Sequence, residues 1–359
     1  MNRVLCLLCA ALWLYGCDDQ PPAAGQGFAG LGSHAENFAE VTPGTPLSFP
    51  ADHGAHPAHR IEWWYLTANL KDKQGRDWGV QWTLFRQALR PEQTSEQVTG
   101  WQSPQLWLGH AAVTREDAHR HAERLARGGI GQAGAEADPL RVWIDDWQLH
   151  SEGGPQLDAL QLRASGDGFA YRLQLRSDRP LVLHGEQGFS RKSDQGQASW
   201  YYSQPFFQVS GELEWDGQTY QVNGTGWLDR EWSSQPLAAD QQGWDWFSLS
   251  LASGERVMLF RLRSRTAADY FSGSWIDAEG QLTALQPSQI NMRPLGQTRV
   301  AGRRLPTEWQ LQVPSQGLDV RVEALNPQAW MGTGIPYWEG PIRIGGSHTG
   351  MGYLEMTGY

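Results

Sequence analysis

Two clusters in this chain set ionisable groups directly beside large aromatics: Glu62-Trp63-Trp64-Tyr65 and Asp229-Arg230-Glu231-Trp232. Both lie in segments that read as strand, where successive side chains point to opposite faces. One member of each neighbouring pair therefore faces a core or cavity. An inward carboxylate or guanidinium must be paired, because a bare buried charge is costly. Two readings follow. Glu62, Asp229, Arg230 and Glu231 form an internal salt-bridge network that locks the fold, or Glu62, Asp229 and Glu231 do acid–base work. A carboxyl group kept protonated by an apolar pocket donates its proton to an alkene, and water captures the cation. That chemistry requires no cofactor. Trp63, Tyr65, Arg230, Trp232, Trp244 and Trp246 are the matching ligand-binding candidates.

The other chemistry-bearing residues are weaker candidates. His53, His56 and His59 are spaced by three, but Pro57 breaks any helix that would align them, and no acidic ligand pair accompanies them. They read as a loop entering the first strand, and no metal site is expected. His119 and His121 read as surface residues, and Ser272-Gly273-Ser274 as a small-residue stretch. No phosphate loop, Gly-x-Ser-x-Gly elbow or dinucleotide fingerprint occurs.

The positioning elements are strands. Ile61–Leu70, Asp77–Arg86, Leu106–Val113, Phe169–Ser177, Phe207–Trp215 and Gln218–Gly224 are short runs rich in aliphatic and aromatic residues. Asp216-Gly217 is the clearest hairpin turn. A second series includes Asp245–Ala252, Arg256–Arg263, Tyr270–Ile276 and Gly352–Thr357. Only Glu116–Arg127 has a helical composition, and it reads equally as a charged excursion between strands. Many short strands with frequent turns predict a sandwich or barrel architecture. The length of 359 residues leaves room for two modules, divided near Gln235–Gln242. The nineteen tryptophans either fill cores or line an apolar calyx inside a barrel, which would suit an oily ligand.

Net charge is −10, lysine is rare and no basic block appears, so a nucleic-acid partner is not expected. All three cysteines precede Asp18, which rules out a disulfide in the body. Arg3 followed by the apolar run Val4–Tyr15 reads as an export signal, too short to span a bilayer comfortably. Leu14-Tyr15-Gly16-Cys17 resembles a bacterial lipobox, which makes Cys17 the expected lipidation site. Residues 1–16 are then a signal peptide and 17–44 a flexible tether rich in Gly, Ala and Pro. Asp18 and Asp19 resemble an inner-membrane retention signal, so the expected place is the bacterial cell envelope, lipid-anchored and facing the periplasm.

His56 to Leu70, Gly226 to Ser234, Tyr337 to Gly340 and Gly350 to Tyr359 together resemble the AttH-like family, which includes the carotenoid 1,2-hydratases (hydroxyneurosporene synthases). The resemblance implies an all-β fold of two lipocalin-like antiparallel β-barrels packed together, here residues 45–238 and 239–359. It implies a hydrophobic ligand, lipid- or isoprenoid-like, and a partner in an ABC-type export system. The alternative it carries is a cofactor-free hydratase, isomerase or cyclase. The hydratases have histidine where this chain has Arg230, and an acid within the stretch matching Arg256–Arg263, where this chain has none. Only Trp232 carries over, and an arginine cannot donate the proton at ordinary pH.

Overall fold

The computed structural model describes Leu31 and residues 35–91, 100–154 and 157–359. The expected signal peptide, Cys17 and most of the tether lie outside the described residues. Two antiparallel sheets divide the chain. The first comprises β1 (Ile61–Asp72), β2 (Asp77–Ala88), β3 (Gln105–Thr114), β4 (His119–Arg127), β5 (Ala133–Ala137), β6 (Leu140–Ile144), β7 (Trp147–Ser151), β8 (Ala159–Gly166), β9 (Phe169–Arg176), β10 (Val182–Leu183), β11 (Phe189–Arg191), β12 (Ala198–Trp215) and β13 (Gln218–Ser233). Its order is β4-β3-β2-β1-β13-β12-β9-β8-β7-β6-β5, with β10 and β11 added along β12. This sheet curls into a nearly closed barrel.

The second sheet begins at β14 (Gln241–Leu251) and continues through β15 (Arg256–Ser264), β16 (Tyr270–Ile276), β17 (Leu282–Leu285), β18 (Asn291–Val300), β19 (Arg303–Val313), β20 (Leu318–Ala324), β21 (Trp330–Met331), β22 (Tyr337–Gly346) and β23 (Gly350–Met356). Its order, β17-β16-β15-β14-β23-β22-β20-β19-β18, makes a half-barrel. The fold is therefore all-β and lipocalin-like in both halves.

Local chemistry explains the longest hairpin. Asp216 and Gly217 both take positive φ, 51° and 76°, the two left-handed positions of a tight turn whose twist matches its strands. β12 and β13 pair across it without interruption as far as Phe207 and Gly226, and a bulge follows between Phe207 and Gln204. Two expectations need correction. Glu116–Arg127 contains no helix, because β4 pairs with β3 along its whole length and forms the edge of the sheet. His119 and His121 are not surface residues: both are partly buried, and His121 Nε2 accepts from the Gly332 amide of the second half at 3.1 Å.

Tryptophans fill the first barrel. Trp64, Trp78, Trp82, Trp147 and Trp232 are all fully buried in one core, each contributing at least about 1.5–3 kcal/mol by burial. The second half has its own core around Trp309 and Trp338. A third apolar layer, with Ile61, Tyr65, Tyr201, Trp227, Trp246 and Phe260, lies between the sheets. No hollow calyx occupies the first barrel at these positions. An apolar cavity lies instead at the seam.

Candidate functional site

Strand register distributes each acid–aromatic cluster over two faces. Glu62 lies opposite Trp232 and Trp64 opposite Arg230, so these four residues share the face turned into the first barrel. Trp63 lies opposite Glu231 and Tyr65 opposite Asp229, on the face turned toward the second sheet. β12 extends that outer face, with Tyr201 opposite Glu231 and Ser203 opposite Asp229.

The inward face is an ion-pair plug. Glu62 is fully buried and bonded to the guanidinium groups of Arg86 and Arg230, whose side chains are each 1% exposed. The His56 backbone N–H donates to both Glu62 oxygens at 2.9 and 3.1 Å. Arg86 also donates to Gln105 at 2.5 Å and to the carbonyls of His56 and His59 at 2.8 Å. Arg230 sits 3.9 Å over the Trp64 ring, and His56 stacks on Trp232 at 3.9 Å. Burial alone would raise the Glu62 pKa, but the two guanidinium groups reverse this and hold it well below the usual carboxylate range. Glu62 is thus ionised at neutral pH and has no proton to give there.

The outward face lines a cavity of about 350 Å³ between the two halves. Trp63, Phe85, Leu108, Trp244, Trp246 and Phe260 form its apolar wall. Its polar lining includes four acids, Glu123, Asp229, Glu231 and Glu355. Asp229 accepts hydrogen bonds from Tyr201 at 2.8 Å, from the Trp227 indole at 2.6 Å and from Ser203. These donors favour the carboxylate, yet complete burial outweighs them and lifts its pKa to about 7. Glu355 faces the same cavity from β23 and accepts from the Trp244 indole at 2.6 Å. Burial, with Asp229 and Glu231 nearby, raises its pKa to about 8. Directly across the strand pair lies Glu339 on β22, also fully buried. Its two oxygens lack any partner of bonding geometry, although the Tyr65 and Tyr337 hydroxyls lie near enough to oppose its rise. Burial and the adjoining Glu355 push the Glu339 pKa well above normal. Two like charges cannot both form in so apolar a space. This pair therefore holds protons at neutral pH.

Further hydrogen bonds orient Asp229 through Ser203. Ser203 donates to Asp229, so the His184 Nε2–H, 2.6 Å away, donates to Ser203, and His184 Nδ1 accepts from Ser274 at 2.8 Å. Burial drops the His184 pKa to about 3, so the ring stays neutral and the tautomer is fixed. The small-residue stretch at Ser272–Ser274 thus ties β16 to the Asp229 network. At another wall Glu231 pairs with Lys192 at 2.8 Å and accepts from Ser199.

Of the residues expected from sequence, Trp63, Tyr65, Asp229, Glu231, Trp244 and Trp246 come together on the cavity. Glu62, Arg230 and Trp232 are brought together too, but on the opposite face of the sheet, in the plug. His53 bonds the Tyr202 hydroxyl at 2.6 Å and His56 bonds Asp52 and Glu62, each at 3.1 Å. His59 is buried, and its pKa falls to about 4. The loop reading of this triplet describes what it does: it caps the plug. Among the described residues no group of three or more His, Cys, Asp or Glu is arranged to hold a metal. Glu339, Glu355, Lys192, Tyr201 and His184 were not evident from sequence.

The fold has known counterparts. A protein of Nitrosomonas europaea assigned to AttH is 33% identical, covering 90% of this chain and 99% of its own, with a TM-score of 0.80. Kievitone hydratase from Nectria haematococca shares the fold at 14% identity and a TM-score of 0.67, covering 91% of this chain and 98% of its own. CghA, solved with Sch210972, shares it at 11% identity and 0.54, covering 90% and 97%. No curated protein sequence matches the chain. The AttH-like family model matches residues 40–359, and the chain belongs to the AttH-like family.

Proposed function

We propose that this protein is a cofactor-free acid–base catalyst of the hydratase type, acting on a hydrophobic, alkene-bearing molecule bound between its two halves. The observation that carries the reading is Glu355, a carboxyl group kept neutral at physiological pH on the wall of an apolar cavity that Asp229 also lines. A neutral carboxylic acid beside a carboxylate of near-neutral pKa is an acid–base pair set by environment. In the forward direction the Glu355 O–H protonates the alkene carbon and leaves a carboxylate. The faces of Trp63, Trp244 and Trp246 stabilise the adjacent cation. Water attacks that cation and gives its proton to Asp229, so one water is added in total. Loss of a neighbouring proton instead of water attack would give isomerisation.

The fold neighbour named a hydratase agrees with this chemistry. Arg230, which replaces the histidine of the carotenoid hydratases, is committed to Glu62 and takes no part. A carrier role is the second reading, favoured by the apolar cavity itself. In it the protein is tethered through Cys17 to the bacterial inner membrane, faces the periplasm and delivers a lipid to an ABC-type permease. It gives no reason for neutral acids on the cavity wall.

The acid can be tested without knowing the substrate. Dicyclohexylcarbodiimide is hydrophobic and reacts with protonated carboxyl groups, so peptide mass spectrometry should find its N-acylurea adduct on Glu355. Labelling should fall as pH rises through about 8 and be absent from Glu62. With isoprenoid and phenolic alkenes in ¹⁸O-water, wild type should incorporate the label, and Glu355→Gln should lose about 10²- to 10⁴-fold in rate. Full turnover by Glu355→Gln would refute the proposal, and labelling without turnover would leave the carrier role standing.

A further inference from the structure

Beneath the cavity, a chain of polar side chains runs through an otherwise apolar wall. Glu123, on the edge strand β4, is 24% exposed and accepts from the Gly334 amide at 3.0 Å. Its other partner is His110 Nε2 at 3.2 Å, and His110 is buried on β3 with its ring against Phe85. His110 Nδ1 then meets the Tyr337 hydroxyl at 2.9 Å, across the seam between the halves. Tyr337 precedes Glu339 by two residues on β22, so both side chains project from the same face. Glu339 lies opposite Glu355, and no described side chain gives its oxygens a bond of proper geometry.

Two adjoining acids, one of them fully buried with its oxygens unbonded, are a heavy burden for a scaffold. A row of donors and acceptors that reaches them from solvent has no packing rationale. We propose that Glu123, His110 and Tyr337 form a proton relay joining solvent to the Glu339–Glu355 pair. The inference rests on the acid role of Glu355.

The donor directions are consistent. Glu123 is held ionised by the His110 bond, so His110 donates through Nε2 and accepts the Tyr337 proton at Nδ1. The Tyr337 oxygen is then left to accept from the Glu339 O–H. Inward delivery starts from the reversed arrangement, with Glu339 ionised, His110 in its Nδ1–H tautomer and Nε2 bare: Glu123, protonated from solvent, gives its proton to His110 Nε2, the Nδ1 proton passes to Tyr337, and the tyrosine proton passes to Glu339. No charge is left on His110 or Tyr337 at the end of a transfer. Glu339 then restores Glu355, which has spent its proton on substrate. Tyr65, Tyr171, Tyr353 and His121 are titratable groups packed nearby, and none of them bridges to solvent through this row.

The test reads protonation of Glu355 through the Trp244 indole bonded to it. A temperature jump in a buffer whose pKa moves with temperature perturbs pH within microseconds, and the tryptophan emission then relaxes. The signal is the difference between wild type and Glu355→Gln. Tyr337→Phe and Glu123→Gln should keep the amplitude but slow the relaxation by about tenfold or more. Added imidazole should restore the rate of Glu123→Gln, because a diffusing base replaces the outer link. Unchanged rates in both variants would overturn the relay. If Tyr337→Phe lost amplitude through misfolding, Glu123→Gln alone would decide. A wild-type trace identical to that of Glu355→Gln would instead sink the acid role of Glu355 itself.

Discussion

Removing the carboxylate from the first barrel should be among the most damaging single changes in this protein. Glu62 is 0% exposed and touches two guanidinium groups that are each 1% exposed. Glu62→Gln keeps the shape but strands both cations. Arg86 retains Gln105 and two carbonyls, and Arg230 retains the carbonyls of Gly54, Trp63 and Glu231. These partial partners place the cost at about 3–5 kcal/mol, a large share of the about 5–15 kcal/mol by which a domain is stable. Arg230→Met leaves Glu62 with Arg86 and His56, so its cost lies toward the lower end of that range. The double variant should cost less than the sum by about 1–3 kcal/mol, since the second change removes a charge the first had stranded. Urea unfolding followed by tryptophan emission and by circular dichroism measures all three variants. Because the Glu62 pKa is depressed, its contribution is complete above the ordinary value of 4.5 and is lost only as pH falls through the lower folded value. The penalty of Glu62→Gln should therefore be flat from about pH 5 upward and shrink below it. Additivity within about 0.5 kcal/mol would refute the shared site.

Two further outcomes follow from the seam. Glu355 has the opposite linkage: its folded pKa, about 8, exceeds the ordinary 4.5, so it favours the folded state fully below 4.5 and that advantage is lost as pH rises to about 8. Glu355→Gln should thus flatten the stability–pH curve across that window, and an unchanged slope would show that Glu355 titrates normally. Gly79 lies where β2 meets the second sheet, and an added Cβ would fall 2.5 Å from Pro341 and 2.6 Å from the Tyr353 hydroxyl. Gly79→Val should force the halves apart and destabilise by about 1–3 kcal/mol in a melting experiment, while wild-type stability would show that the seam is loose.

How much of this was legible in the sequence depends on which spacing is read. The strands and the Asp216-Gly217 turn follow from local composition, and the two packed barrels from the family resemblance. β22 does not, because Gly340 and Pro341 interrupt the run that carries Glu339, and pairing with β20, β21 and β23 holds it extended. The acid–aromatic clusters drew attention through adjacency, yet adjacent residues in a strand face apart. Asp229 and Arg230 are neighbours in sequence, and they serve a cavity and a plug on opposite faces. The chemically meaningful spacing is two. Trp227 and Asp229, Tyr337 and Glu339, Tyr353 and Glu355 are each an aromatic followed two residues later by an acid, and all three acids have raised pKa. The Trp227 indole bonding Asp229 at 2.6 Å shows that such a pair shares one face. What no spacing reveals is that β13, β22 and β23 bring their acids to one seam. That convergence comes from two sheets packing face to face. It concentrates the destabilising groups in one place, where the barrels elsewhere are filled with tryptophan, and the proposed acid chemistry would account for that cost.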